Sequence, residues 1–289
     1  MQETRAITRK SASNLALAFV LLPRAKRDGM SALYAFCREV DDIADNESVP
    51  AAERRRALAD WREDVRRACG DETPRFNVNR ELQPIAHKYR LPFEYFDALL
   101  TGVQMDLDVN RYEDYEQLEL YCYRVASVVG LLSIEIFGYK DPACKDYAIY
   151  LGKALQFTNI LRDVGSDADR GRIYLPLSEL RRFNVQPEEI LRHEYSPGFL
   201  SVAESFAERA RRFYSLARET LAPADRRSMI AAELMGSVYW RLLRKLEAKR
   251  FDVLGSNPTK LNRGQKLLLI LRAWTRFVFG IPSPSYGTP

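Results

Sequence analysis

The stretch LGKALQFTNILRDVGSD, Leu151 to Asp167, sets Gln156, Asn159, Asp163 and Asp167 among many apolar residues. In a helix each residue advances about 100° around the axis, so relative to Gln156 the other three fall near about −60°, −20° and +20°. They form one narrow stripe. Ala154, Leu155, Phe157, Thr158 and Leu161 cover most of the remaining circumference, the reverse of the balance on a solvated helix. The helix is therefore expected to be buried nearly all round, with its carboxylates turned inward. Unpaired carboxylates inside a protein are costly, so a salt bridge or a bound cation must neutralise them.

The pattern recurs in ALYAFCREVDDIADNE, Ala32 to Glu47. Measured from Arg38, Tyr34, Asp41, Asp42 and Asp45 fall near about −40°, −60°, +40° and −20°. Leu33, Cys37, Val40 and Ala44 make the opposite, apolar face. Asp41 and Asp45 are four apart, as are Asp163 and Asp167, so each pair lies one turn apart on one face. Two such pairs facing each other suit Mg²⁺, which takes a few carboxylates together with substrate phosphate oxygens and water. Arg38 adjoins the first pair, and Arg162, Arg170 and Arg172 adjoin the second. Their planar forks match phosphate oxygens. Carboxylate pairs with neighbouring arginines point to a metal bridging to a polyphosphate.

The elements that carry these stripes belong to a chain of 289 residues, long enough for a substantial core. With 46% hydrophobic and 29% charged residues it reads as an ordinary globular protein rather than a disordered or spanning one. Cys37, Cys69, Cys122 and Cys144 are scattered without CxxC spacing, and only two histidines are present. Neither a zinc site nor a disulfide framework follows, and a reducing cytoplasm is the expected compartment. The net charge of +5 is dispersed, and the densest basic run, ERRRALADWREDVRR, mixes acids into a solvated helix. Nucleic acid is not an expected partner, for no basic motif is studded with aromatics. LALAFVLL, Leu15 to Leu22, lacks a small-residue cleavage site and reads as a core helix. KLLLILRAWTRFVFG, Lys266 to Gly280, is too short to span a bilayer. Two readings of it stand: a final core helix, or a helix lying on the inner face of a membrane with Trp274 at the headgroups.

Apolar residues recur at helical spacing almost throughout, and alternating β-branched runs are scarce. Helices are expected over Ser13–Leu22, Arg27–Asn46, Ala51–Ala68, Asn79–Tyr89, Pro92–Leu107, Tyr112–Phe137, Pro142–Val164, Ser178–Phe183, Pro187–Leu191, Pro197–Leu221, Arg226–Lys249 and Gly264–Phe279. Pro and Gly punctuate most of the gaps. No linker or repeat is evident, so the expectation is one all-α domain over residues 1–289.

YAFCREVDDIAD (Tyr34–Asp45), YCYRVASVVG (Tyr121–Gly130), LGKALQFTNILRDVGSDADRGRIYLP (Leu151–Pro176) and Tyr239 together resemble the squalene/phytoene synthase family, whose members join two isoprenoid diphosphates head to head. The similarity runs from about Ser11 to Asp252. DDxxD alone is shared with chain-elongating prenyl synthases and terpene cyclases. YCYxVA combined with QxxNxxRDxxxD is far more specific. VASVVGLLSIEIFGY and RGRIYLPLSEL are most similar to the bacterial presqualene diphosphate synthases of hopanoid pathways.

The resemblance implies the all-α isoprenoid synthase fold, one helical domain around a central cavity. It implies several Mg²⁺ ions at Asp41, Asp45, Asn159, Asp163 and Asp167. Tyr34, Arg38, Gln156, Arg162, Arg172 and Tyr239 match positions that contact substrate diphosphate or shape its site, and Ser13 matches a further diphosphate contact. Tyr121, Val125, Ala126 and Val129 match the cavity wall beside the reacting carbons. In three places the sequence departs from the family. SASNLALAF, Ser11 to Phe19, stands where Ser-Phe is common, with Asn14 or Leu15 in the phenylalanine's place. Ser166 stands where Glu is frequent, removing one carboxylate, and Ser127 stands where Gly is usual and is expected to narrow the cavity.

The chemistry so implied is ionisation of an allylic diphosphate, with Mg²⁺ and arginines stabilising the departing charge. A dry apolar wall keeps the cation from being trapped by water. The second molecule's double bond attacks, and proton loss, to a tyrosine or to the departed diphosphate, closes a cyclopropane. Two farnesyl diphosphates would give presqualene diphosphate, with no NADPH needed for this step. Phytoene synthesis from geranylgeranyl diphosphate, squalene or hydroxysqualene formation, and an inert helical scaffold are the alternatives. Enzymes of squalene and hopanoid synthesis are the implied partners.

Overall fold

The computed structural model describes residues 2–10, 18–255, 259–262, 264, 265, 268, 269, 271, 275, 286 and 287. Among them no strand forms, and one isolated bridge joins Arg111 to Ile173. The helices are α1 (Gln2–Lys10), α2 (Arg24–Asp45), α3 (Ala51–Cys69), α4 (Asn77–Tyr89), α5 (Phe93–Asp108) and α6 (Tyr115–Cys122). A π-helical segment (Tyr123–Ser127) joins α6 to α7 (Val128–Phe137). They are followed by α8 (Cys144–Ala168), α9 (Leu177–Arg182), α10 (Pro187–Leu191), α11 (Pro197–Thr220) and α12 (Ile230–Ala248).

α8 is the central element: α7, the π segment, α11 and α12 all pack on it. Leu151, Ala154, Phe157, Thr158, Ile160, Leu161 and Val164 are buried around it, as the apolar circumference of its sequence demands. Phe157 stacks on Phe206 of α11 at 4.6 Å between ring centroids and meets Phe213 edge-on at 5.2 Å. Burial of one such ring contributes about 2–3 kcal/mol.

Several expected elements differ in detail. Helix α8 does not stop at Val164 but runs past Gly165 to Ala168, which keeps Asp167 in the same helical stripe as Asp163. Gly165 is there for close approach rather than for a turn, since a Cβ on it would sit 2.6 Å from the Val253 carbonyl oxygen. The expected helix over Tyr112–Phe137 begins only at Tyr115, where the Asp114 carboxylate accepts the Gln117 N–H at 3.0 Å, a side-chain cap. Its middle is π-helical, and α12 starts at Ile230 rather than at Arg226. Polar α1 was not expected. The Glu81 carboxylate accepts the Thr4 N–H (3.0 Å) and hydroxyl (2.7 Å), satisfying a donor that a helix N-terminus leaves orphaned. Of the expected Ser13–Leu22 helix, only its last part is described, and Phe19–Leu21 forms a single 3₁₀ turn. Ser13 lies outside the described residues, as does most of the expected 264–280 helix.

Candidate active site

A cavity of about 700 Å³ opens between α2, the π segment, α7, α8 and α12. Helix α2 lends it Tyr34, Arg38, Asp41 and Asp45; α8 lends Gln156, Asn159, Arg162, Asp163 and Asp167; and α12 lends Tyr239. Tyr121, Val125, Ala126 and Val129 complete the wall. The two acidic stripes thus share one chamber. A loop after α8 adds a further tie between them: Arg170 and Arg172 reach the Asp45 carboxylate at 3.6 and 3.7 Å. Positive φ at Gly171 (69°) turns this loop, and its Ile173 N–H donates to the Asn110 carbonyl just beyond α5.

Arg172 is the one described candidate that does not line the cavity. Its guanidinium is drawn behind the wall, donating to the Asp106 carbonyl at 3.3 Å. Leu33 and Cys37, expected on the apolar face away from the acids, line the cavity. Ser127 does not narrow it. Its hydroxyl donates to the Ile149 carbonyl at 2.9 Å, toward the α8 backbone, and a Cβ on Gly152 would lie 2.6 Å from Ser127 Cα. The π segment is pressed onto α8 there. That extra residue in the turn swings Val125 and Ala126 to the chamber, the kind of local distortion common at functional sites.

Electrostatically the chamber is overloaded with negative charge. Asp41 is pushed up from 3.8 to about 7, first by burial, then by Asp45 and Asp106, while Arg38 opposes. Its side chain is solvent-accessible where it faces the half-open cavity. Asp167 is likewise raised to about 7 by burial and by Asp163, against Arg172 and Arg170. Arg38 and Arg162 are already paired within their own helices. Arg38 Nη2 lies 2.5 Å from Asp42 Oδ1, and Arg162 holds Asp163 through Nε at 2.7 Å and Nη2 at 2.5 Å. Burial opposes the charge on Arg162, yet Asp163 and the Tyr239 hydroxyl outweigh it and raise its pKa.

Asp106 and Tyr174 were missed in the sequence. The Asp106 carboxylate accepts hydrogen bonds from the Tyr174 hydroxyl at 2.7 Å and the Tyr121 hydroxyl at 3.1 Å. Burial raises its pKa against those two donors and Arg172. Tyr121 and Tyr174 stack at 5.3 Å and both line the chamber. The available signal was position. Asp106 follows the buried Leu99, Leu100 and Val103 at helical spacing, so it had to face inward.

Among the described residues no group of three or more Asp, Glu, His or Cys is drawn together tightly enough to hold a metal unaided. The donor set nevertheless fits magnesium, which retains waters and shares its shell with substrate phosphates. Asn159 supplies the specific observation: its buried Oδ1 has no hydrogen-bond partner, while its Nδ2 donates to Gln156 Oε1 at 3.4 Å. An orphaned amide oxygen beside repelling carboxylates is a position that a cation would satisfy.

A family model described as squalene/phytoene synthase matches residues 8–265. The chain is 35% identical over 262 residues to the presqualene diphosphate synthase of Rhodopseudomonas palustris, covering 90% of this chain and 92% of that one. To the phytoene synthase of Arthrospira platensis it is 35% identical over 264 residues, covering 86% and 84%. A dehydrosqualene synthase solved with a ligand superposes with a TM-score of 0.83 at 28% identity over 96% of both chains. The architecture is therefore that of the squalene-synthase-like isoprenoid synthases. The chain belongs to the squalene/phytoene synthase family and is a prenyl transferase acting on isoprenoid diphosphates.

Proposed function

We propose that the protein joins two farnesyl diphosphates head to head, giving presqualene diphosphate, one diphosphate and one proton, in a Mg²⁺-dependent reaction. The observation that carries this reading is the chamber's polarity: opposed acidic stripes with arginines on one side, and on the other a wall of Phe19, Leu33, Ile134, Phe137, Leu151 and Met235. The similarity of VASVVGLLSIEIFGY and RGRIYLPLSEL to presqualene diphosphate synthases supports the choice of product. Overall identity does not, being 35% both to such an enzyme and to a phytoene synthase.

Mg²⁺ held by Asp41, Asp45, Asn159, Asp163 and Asp167 would supply Lewis-acid stabilisation of the leaving diphosphate. Arg38 and Arg162 orient that diphosphate with planar donors, exchanging part of their pairing with Asp42 and Asp163 for phosphate oxygens. Tyr34, Gln156 and Tyr239 line the same region and limit where the diphosphate sits. Val125, Ala126 and Val129 exclude water from the reacting carbons. Asp106 fixes the Tyr121 and Tyr174 hydroxyls, so that their ring faces are held beside developing positive charge. The product still carries its diphosphate, so an enzyme that reduces or hydrolyses it must follow in squalene or hopanoid synthesis.

The test is a product assay with farnesyl diphosphate and Mg²⁺, without NADPH. A C30 cyclopropyl diphosphate, lost on chelation, is the expected result. A C40 product formed only from geranylgeranyl diphosphate overturns the farnesyl reading in favour of phytoene synthesis, which the equal identity to a phytoene synthase makes the second reading. A C30 alcohol would establish hydroxysqualene formation instead.

A further inference from the structure

Tyr286 is wholly buried, although it lies well beyond the end of α12. Its ring lies on the backbone of α12 at Gly236, where a Cβ would come within 2.6 Å of Tyr286 Cε1 and 2.8 Å of Cδ1. Only glycine permits this seat. The ring also meets Tyr214 of α11 at 5.8 Å, and Ser215 of α11 donates to the Gly287 carbonyl at 3.4 Å. The Tyr286 hydroxyl donates to Glu233, which also accepts the Tyr147 hydroxyl at 2.8 Å.

Tyr147 lines the cavity, as do Ala231, Ala232 and Met235 on the turn of α12 that carries Glu233 and Gly236. On α8, Tyr147 precedes Asp163 by sixteen residues, roughly 24 Å along the axis at 1.5 Å per residue. This wall is therefore remote from the acidic stripes, where the tail of a bound chain would end. An extended hydrocarbon advances about 1.2 Å per bond, so each additional isoprene unit needs roughly 5 Å of depth. A displacement of Tyr147 or of α12 by a few ångströms is enough to change which chain fits.

We propose that Tyr286 latches this far wall from outside, fixing Tyr147 and α12 through Glu233 and Gly236, and so sets the prenyl chain length the enzyme takes. Tyr286 is a positioning residue, since it acts through Tyr147 and α12. The inference rests on the reading that the cavity holds prenyl chains. Without the ring, the turn at Gly236 loses its backing and the wall recedes. Without only the hydroxyl, the backing stays and the tie to Glu233 is lost.

The experiment compares wild type, Tyr286→Ala and Tyr286→Phe by kcat/KM on farnesyl and on geranylgeranyl diphosphate, with thermal melts of each protein. Wild type that turns over neither substrate sinks the proposed function, and the latch with it. With an active wild type, the expected result is a shift toward the longer substrate of about tenfold in Tyr286→Ala, the scale of a change in pocket size. A smaller shift, at least about threefold, is expected in Tyr286→Phe on the same grounds. Folded variants that keep the wild-type preference and lose only melting temperature overturn the proposal. If Tyr286→Ala does not fold, Tyr286→Phe, which retains the ring packing, decides by the same criterion.

Discussion

Replacing Asp41 and Asp167 together by Asn should stabilise the metal-free protein at neutral and alkaline pH. Each carboxyl has its pKa raised in the folded state, from 3.8 to about 7, so folding favours the protonated form. Their protonation supports stability fully below about pH 4, and that support is lost as pH rises through about 7. At about 1.4 kcal/mol per tenfold change in proton affinity, a rise of this size corresponds to roughly 4 kcal/mol for a single fully desolvated carboxyl. Asp41 opens onto cavity water and both groups feel the same Asp106, so screening and shared repulsion leave roughly 1 kcal/mol each. Two such contributions correspond to a gain of about 3 °C in melting temperature for a chain of 289 residues. The assay is a set of thermal melts from pH 4 to 8.5 in chelator. The variant-minus-wild-type difference should be near zero at pH 4, grow through pH 7 and then level off. Adding Mg²⁺ with inorganic diphosphate at pH 8 should stabilise wild type more than the variant and close the gap. A difference that does not depend on pH, or a variant less stable than wild type at pH 8, would refute the picture of an overloaded acidic chamber.

Asp163→Asn should lower kcat at least about a hundredfold, the scale of removing one transition-state electrostatic contact, with the circular dichroism spectrum unchanged. Asp106→Asn should retain the fold but release the Tyr121 and Tyr174 hydroxyls; kcat should fall by more than KM changes in steady-state assays. Gly152→Ala forces a Cβ against Ser127 Cα, and should cost about 1–3 kcal/mol in denaturant unfolding while reducing activity by displacing the π segment.

The parts of this molecule that were legible in its sequence are those whose evidence lies within one helix. Gln156, Asn159, Asp163 and Asp167 lie on a single element, so a 3.6-residue period was enough to show them as one stripe, and the same holds for Tyr34 to Asp45. Asp106 escaped because its partners, Tyr121, Tyr174 and Arg172, come from two distant segments that only the fold brings together. The π segment escaped because one extra residue per turn barely disturbs an apolar pattern, although it decides that Ser127 faces Ile149 while Val125 and Ala126 face the chamber. Helix α1 is too polar for periodicity to find; it is fixed by Glu81 on Thr4 and by the Arg5–Asp28 pair at 2.7 Å. Tyr286 is the furthest case. SPSYGTP has the composition of a solvated tail, and nothing local distinguishes its tyrosine. Its burial is written instead in α12, in a glycine at position 236 that has no helical reason to be there, because glycine lowers helix stability by about 1 kcal/mol relative to alanine. An unfavourable residue inside a well-packed helix, like the unpartnered amide oxygen of Asn159, marks a neighbour that the helix alone does not reveal.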